Sequence, residues 1–369
     1  MKILYVTTMS GTFGFLYPHI NMLINEGHKV DLATNITKEI KHQAIRENCK
    51  IFNIDFDRSP TKLSNLKSIQ KIREIVEQEK YQIVHTHTPI ASFITRLACR
   101  NMKHVKVIYT AHGFHFYKGA PFINWLVYYP IEKIASRWTH TIVTINQEDF
   151  NFASKNFSRS SNIYKVNGVG IDLTKFENTE KKSILLKKYN TENKFTLFYA
   201  AELNMNKNQT LLIDAIYKVK ERIPNIYLIL AGVGEMEQHY RERVSEYDLE
   251  NNIEFVGFRD DIPQILKITE IVLASSNREG LPVNLLEAMA SRLPIVATDN
   301  RGHRSLVKDG ENGYLINLND SDELAEKIFK LYNSPELRMK LGNEGYRLVQ
   351  KFTDHVVDNQ LKEIYRNTK

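Results

Sequence analysis

At 369 residues the chain exceeds one comfortable hydrophobic core and points to two domains, and 42% hydrophobic with 25% charged residues is the balance of a soluble globular protein. No apolar run approaches the ~20 residues that span a bilayer, and Cys49 and Cys99, isolated and without CxxC spacing, argue against a disulfide framework or a zinc site. The net charge of +7 is uneven: residues 1–170 hold 22 Lys and Arg against 12 Asp and Glu, and the rest hold 28 against 31, so the first half is where an anionic partner is expected.

The amino terminus, MKILYVT, is too soon interrupted for a signal peptide and reads as a first strand over residues 3–6, so a cytoplasmic chain is expected. The loop at 7–15 carries Gly11 and Gly14 and leads into a helix ending near Gly27; this is a Rossmann-like opening without GxGxxG. A plain turn is the alternative role for these two glycines. Residues 30–34 and 50–54 read as strands, the second followed by Asp55-Phe56-Asp57, a DxD triplet able to hold a divalent cation. Residues 62–80 read as a helix, basic at its start, and 82–85 as a strand ending in His85-Thr86-His87. Alternate histidines share one strand face and could bind zinc, but no third ligand is near; strand carboxyl ends are also where open α/β sheets place ligands. Residues 107–110 repeat the arrangement and deliver Ala111-His112-Gly113-Phe114-His115. Core histidines are the plain reading of that pair.

Residues 114–138 (FHFYKGAPFINWLVYYPIEKIASRW) set ten Phe, Trp, Tyr, Leu and Val in the basic half. Such composition fits a helix lying in a membrane interface, and equally one packed on a sheet. No recognised nucleic-acid motif accompanies the basic charge, whereas an anionic leaflet or a lipid diphosphate suits it; uneven surface charge without a partner is the plain alternative. Residues 141–145 read as the last clear strand of this half. Asn167-Gly-Val-Gly-Ile-Asp172 reads as the crossing between domains, and a Lys-rich stretch at 179–194 follows.

The second half opens again with strand (195–200), loop (202–207) and helix (209–219), the helix showing Leu211, Leu212, Ala215, Ile216 and Val219 at core spacing. Lys207, just before a helix start, is placed to meet a phosphate. Strands at 226–231 and 253–256 lead into Gly232-Val-Gly234 and Gly257-Phe-Arg259-Asp-Asp261. Residues 271–299 (IVLASSNREGLPVNLLEAMASRLPIVATD) read as strand, loop, helix, strand, with Pro282 suited to a first helical position. The loop over Gly280, Leu281 and Pro282 opens a helix whose N–H groups and dipole make an anion seat. Glu279 and Glu287 flank it, and carboxylates hold hydroxyls better than phosphate. A nucleotide sugar offers both groups; two solvated acids beside a turn is the plain alternative. Residues 320–333, 336–350 and 353–366 read as closing helices.

The stretch EGLPVNLLE, Glu279-x7-Glu287, resembles the signature of the retaining family 4 glycosyltransferases of bacterial capsular and exopolysaccharide type, and the likeness runs along nearly the whole chain. It implies the GT-B fold, two Rossmann-like α/β domains facing across a cleft. Residues 1–170 would form the acceptor-binding domain, onto which the last helix at 353–369 packs back, and 171–352 the nucleotide-sugar domain. The resemblance places Glu279 on the donor sugar, Glu287 on the ribose, and His112 on the sugar, with His115 a weaker candidate. It puts the Gly11–Gly14 loop in the cleft, and the turns with Gly232 and Arg259 near the base. One departure stands out: the family usually has Arg five residues before Lys207, and here Glu202 occupies that position, leaving Arg259 or Arg278 as substitutes. The implied reaction is a metal-independent, cofactor-free transfer with retention. The donor would be a UDP-sugar, with GDP-mannose open, and the acceptor a lipid-diphosphate-linked saccharide at the inner face of the membrane. A soluble acceptor, a nucleotide-sugar 2-epimerase and a non-catalytic sugar-nucleotide sensor are the competing readings; EGLPVNLLE argues against the epimerase.

Overall fold

The computed structural model describes residues 1–40, 42–57, 64–177 and 180–368. Its strands are short runs of Val, Ile, Leu, Tyr and Thr, several of them, such as IVHTH and IVLA, buried at every position. Strands buried on both faces belong to parallel sheets covered by helices on either side. Seven make the first sheet: β1 (Lys2–Met9), β2 (Lys29–Asn35), β3 (Ile51–Asn53), β4 (Ile83–His87), β5 (Lys106–Ala111), β6 (Thr141–Thr144) and β7 (Asn162–Lys165). Six make the second: β8 (Phe195–Ala200), β9 (Ile226–Ala231), β10 (Ile253–Gly257), β11 (Ile271–Ala274), β12 (Ile295–Thr298) and β13 (Gly313–Ile316). The orders are β3-β2-β1-β4-β5-β6-β7 and β10-β9-β8-β11-β12-β13, and the strand pairs are parallel. Each sheet reverses direction of growth once, at β1/β4 and at β8/β11. Open α/β sheets bind their ligands just beyond the strand ends at such a point.

The chain divides into two compact units, Met1–Gly170 with Asp354–Lys369, and Ile171–Thr353. In the first, the final helix Asp354–Asn367 buries Val357, Leu361, Ile364 and Tyr365. The Tyr365 hydroxyl donates to that of Tyr5 at 2.9 Å and lies 2.5 Å from His85 Nδ1. In the second, helices Gln209–Val219 and Val283–Ala290 send Leu211, Leu212, Ile216, Leu285, Leu286 and Met289 into one core with β8 and β11.

Several boundaries differ from expectation for physical reasons. The first sheet has an additional edge strand, β7 (NIYK), which is half-exposed and shows no apolar alternation. Residues 114–121 precede rather than begin the aromatic helix, which spans Phe122–Ser136; Phe114 and Phe116 are pulled into a separate aromatic core instead. Pro282 caps its helix in extended conformation (φ −74°, ψ 122°), so the first helical residue is Val283. The basic helix spans Ser64–Gln78, and residues 62 and 63 of the expected 62–80 span lie outside the described residues.

Candidate functional site

Strands β8 and β11 lie side by side, Leu197 opposite Ile271 and Phe198 opposite Val272, so the loops that leave them are neighbours in space. Those loops stitch together through Asn277 N to Asn206 O (2.8 Å), Asn206 Nδ2 to Arg278 O (3.1 Å) and Ser275 Oγ to Lys207 O (2.7 Å). Lys207 N donates to Asn204 Oδ1 at 3.0 Å, and Asn208 beyond it takes a left-handed turn (φ +50°) into the helix. The result brings Lys207 Nζ to 2.5 Å from Glu279 Oε1, a pair separated by 72 positions in the chain. Both side chains keep part of their surface in solvent, so the ammonium and the carboxylate can each turn to a ligand.

Two close backbone approaches fix this corner. A Cβ on Gly302 would stand 2.5 Å from Glu279 Cβ and 2.8 Å from its carbonyl carbon. Next to it Arg301 Nε donates to Glu279 O at 3.3 Å, and Asn300 caps the helix Arg301–Leu306 by accepting from Gly302 N and His303 N, each at 3.0 Å. Gly232 has φ +146°, and a Cβ there would lie 1.9 Å from Ala201 O, so only glycine lets this turn press on the loop holding Glu202. Arg259 is engaged by Asp261, with Nε 2.7 Å from Oδ1, whereas Arg278 lies half-buried directly before Glu279.

From Glu279, residues Gly280, Leu281 and Pro282 run straight to the helix Val283–Ala290. Pro282 has no side-chain acceptor to give, and the first turn holds no acid that would compete with an anion at the helix dipole. Glu287 sits one turn in, and burial pushes its carboxyl up to about 7 against a weaker opposite pull from Lys175. An unfolded glutamate ionises near 4.5. The folded protein therefore binds this proton more tightly, and stability falls as pH rises from about 4.5 to about 7. Glu287→Gln should remove that penalty. Urea unfolding should show the variant gaining on the native chain by up to about 3 kcal/mol at pH 8 and gaining nothing at pH 4; equal gains at both pH values would contradict a desolvated, destabilised carboxylate.

In the first unit, β4 and β5 align His87 with Thr110, so the carboxyl ends carry a group of imidazoles. His85 and His87 share a face with ring centroids 4.3 Å apart, and His87 Nδ1 is 3.0 Å from His112 Nε2. His85 is bound to Tyr365 and, at 2.8 Å, to Thr110 Oγ1. Burial holds His19 and His112 down at about 4 and lowers His85 and His87, so all four rings are neutral near pH 7 and act as hydrogen-bonding groups. His87, with its bond to His112, is a contact the strand pattern alone does not reveal. Among the described residues no three His, Cys, Asp or Glu converge in a metal-binding arrangement, Asp55 and Asp57 included. Gly11 and Gly14 face open space, with nothing within 4 Å of a Cβ at either. Gly11 borders a cavity of about 620 Å³ with Phe15, Lys38, His115 and Tyr128. His115 stacks on Tyr128 at 4.6 Å there, while His112 meets the edge of Phe15 at 5.5 Å.

Residues 2–146 match the family described as Glycosyl transferase 4-like, and residues 181–348 the one described as Glycosyl transferases group 1. The protein EpsD of Bacillus subtilis (strain 168), provisionally assigned as a glycosyltransferase, is 38% identical over 99% of this chain and 96% of its own. The chain belongs to the group 1, family 4-like glycosyltransferases. Among further relatives of this glycosyltransferase, the UDP-Gal:alpha-D-GlcNAc-diphosphoundecaprenol alpha-1,3-galactosyltransferase of Escherichia coli is 27% identical, covering 84% of this chain and 81% of its own. CapM of Staphylococcus aureus, a capsular polysaccharide biosynthesis glycosyltransferase, is 26% identical over 99% and 96%. Anabaena Alr3699/HepE, solved with UDP and glucose, superposes with a TM-score of 0.82 at 21% identity over the full length of both chains. WaaG, a glycosyltransferase of lipopolysaccharide biosynthesis, gives 0.79 at 14% over 98% and 99%. These likenesses show the expected GT-B fold.

Proposed function

We propose that this glycosyltransferase moves a hexose or N-acetylhexosamine from a UDP-sugar to a lipid-diphosphate-linked saccharide, with retention and without metal, in bacterial cell-surface polysaccharide assembly. The observation that carries this reading is the Lys207–Glu279 pair at the β8/β11 switch point, set against the uncapped start of helix Val283–Ala290. Lys207 Nζ and the leading N–H groups supply positive charge where a diphosphate leaves. Glu279 accepts from sugar hydroxyls, Glu287 from the ribose, and neutral His112 orients the sugar by hydrogen bonding rather than by charge. The acceptor oxygen attacks C1 on the face from which the diphosphate departs. As that C–O bond forms and the sugar–phosphate bond breaks, the acceptor proton passes to the departing phosphate oxygen, so no separate general base is needed. The UDP and the diphosphoundecaprenol in the names of the Escherichia coli relative and of the HepE complex support the choice of donor and acceptor.

Incubation with UDP-, GDP- and dTDP-sugars and undecaprenyl-diphosphate-linked GlcNAc tests it. Product should appear with a UDP-sugar, carry the donor's anomeric configuration by NMR, and form at the same rate in EDTA. An isomerised nucleotide sugar in the absence of acceptor would establish an epimerase instead. Inversion, or loss of activity in EDTA, would overturn the mechanism.

A further inference from the structure

The second unit carries a cavity of about 640 Å³ at the opposite edge of its sheet from Lys207 and Glu279. Glu270 and Pro294, which line it, stand immediately before β11 and β12, so it opens at the amino ends of these parallel strands. Ligands at a switch point sit beyond the carboxyl ends, which makes this a separate space. Among the described residues its charged walls are Lys182, Lys267, Arg292 and Arg338 against Glu177 and Glu270, an excess of two positive charges. Lys182 at 2.9 Å and Arg338 at 3.3 Å share Glu270, and Glu177 accepts from the Tyr346 hydroxyl at 3.0 Å. Lys267 is exposed and pairs with no acid among the described residues. Arg292 is held at the rim against its own backbone preference. Helix Val283–Ala290 ends in a turn where Arg292 N donates to Met289 O at 3.1 Å and Leu293 N to Ala288 O at 3.0 Å, with Arg292 at φ +57°. Such a left-handed helix end favours glycine. The turn has no room to relax, because a Cβ on Gly342 of the helix Pro335–Val349 would stand 1.9 Å from Arg292 O. The guanidinium lies over the Tyr346 ring at 3.5 Å and donates to Asn343 Oδ1 at 3.3 Å. Both partners are neutral, so they aim the charge without cancelling it. Backbone strain kept at the rim of a cavity to present a cation points to an anion.

We propose that this cavity binds a small phosphorylated compound and that its occupancy is coupled to the donor seat. The two surplus charges match a phosphate dianion better than a single carboxylate, and the volume leaves room for a sugar or nucleoside attached to it. Lys267 meets the phosphate as a point charge and Arg292 as a planar fork. Arg338, whose Nη1 is engaged by Leu331 O at 2.6 Å and Tyr332 O at 3.1 Å, helps to hold Glu270 in its pairs. The coupling, unlike the binding, rests on the donor seat proposed above. Helix Val283–Ala290 runs from Pro282 in that seat to Ala290 at the cavity, a span of about 12 Å at 1.5 Å per residue. A ligand on Arg292 therefore acts on the carboxyl end of the same helix whose amino end and Glu287 meet the donor. Donor and ligand then change each other's affinity by one shared factor.

Calorimetric titration of the full chain at low salt, with inorganic phosphate, ribose 5-phosphate and AMP as probes, should give saturable binding both with and without saturating UDP. The series separates the sources: equal affinities make the inorganic ion the ligand, and a gain with ribose or with the base makes it an organic phosphate. Lys267→Gln should weaken binding by about tenfold. Arg292→Gly should abolish it while melting within a few degrees of native, since glycine suits the turn. Lys207→Ala should lose UDP and keep the probe. The probe should shift the Kd for UDP by about fivefold or more. No saturable binding of any probe at millimolar concentration overturns the proposal, and so does binding that Lys267→Gln and Arg292→Gly leave unchanged. Binding that UDP competes away, or that Lys207→Ala removes, would place the probe in the donor seat and overturn it as well. A probe that binds with no change in the Kd for UDP removes the coupling and leaves the site. If Lys207→Ala binds UDP as tightly as native while the probe results hold, the donor reading falls and the cavity site stands.

Discussion

Replacing Lys207 by Ala is expected to lower kcat/KM for sugar transfer by about 10²–10³-fold while changing the stability of the free protein by less than about 1 kcal/mol. The contrast follows from where the ammonium stands. In the free protein it pairs with Glu279 at 2.5 Å, but both groups reach solvent, and partly exposed ion pairs contribute little to folding. On the proposed mechanism the same ammonium faces charge developing on the leaving diphosphate, and losing one preorganised donor of that kind costs roughly 2.7–4 kcal/mol. Lys207→Arg should recover only part of the rate, since a planar fork does not reproduce a compact point charge on a short reach. Thermal melts and initial rates on the same preparations decide the matter. A large fall in Tm with near-normal turnover would mean that the pair is structural.

Gly302→Ala should damage catalysis nearly as much without touching a substrate contact. The added methyl would stand 2.5 Å from Glu279 Cβ, closer than two non-bonded carbon atoms can sit. The loop has little room to yield. Arg301 Nε holds the Glu279 carbonyl, and Asn206 Nδ2 holds that of Arg278. The carboxylate must therefore swing away from Lys207, and misplacing a positioning group by about 1 Å costs on the order of 10²-fold in rate. Overpacking should cost about 1–3 kcal/mol of stability besides. Gly345→Ala is the matched control, because the nearest neighbour of its Cβ would be Met289 at an ordinary 3.5 Å. A Gly302→Ala enzyme with native kcat and KM would show that Glu279 needs no such exact seating.

The alternation of strand and helix, and hence the fold, is legible because parallel strands buried on both faces leave unbroken apolar runs such as IVLA and YLILA. The EGLPVNLLE stretch is legible for a different reason: strand, loop, helix start and both acids lie within one short window. What lies across long separations is not. Nothing in the sequence pairs Lys207 with Glu279, His87 with His112, or Gly302 with the backbone of Glu279; those contacts are set by strand order, which local periodicity does not encode. The edge strand β7 is hidden because a half-exposed NIYK lacks either period. The aromatic stretch 114–138 supports two readings, and the structure shows the packed one on one face of the helix only. Trp125 and Tyr129 pack on the Phe114–Phe116 core while Phe122 and Leu126, on the other face of the same helix, do not.

The first unit is assembled from both ends of the chain, with the whole of Ile171–Thr353 inserted between them. Synthesis therefore delivers its opening strands long before the segment that covers them. Tyr5 and His85 have no Tyr365 until the ribosome has passed position 365, whereas the inserted unit is contiguous and can close as soon as it emerges. The usual order of co-translational folding is expected to reverse here: the inserted unit can be complete before the first one, and a chain cut before Tyr365 would leave Tyr5 and His85 without that partner.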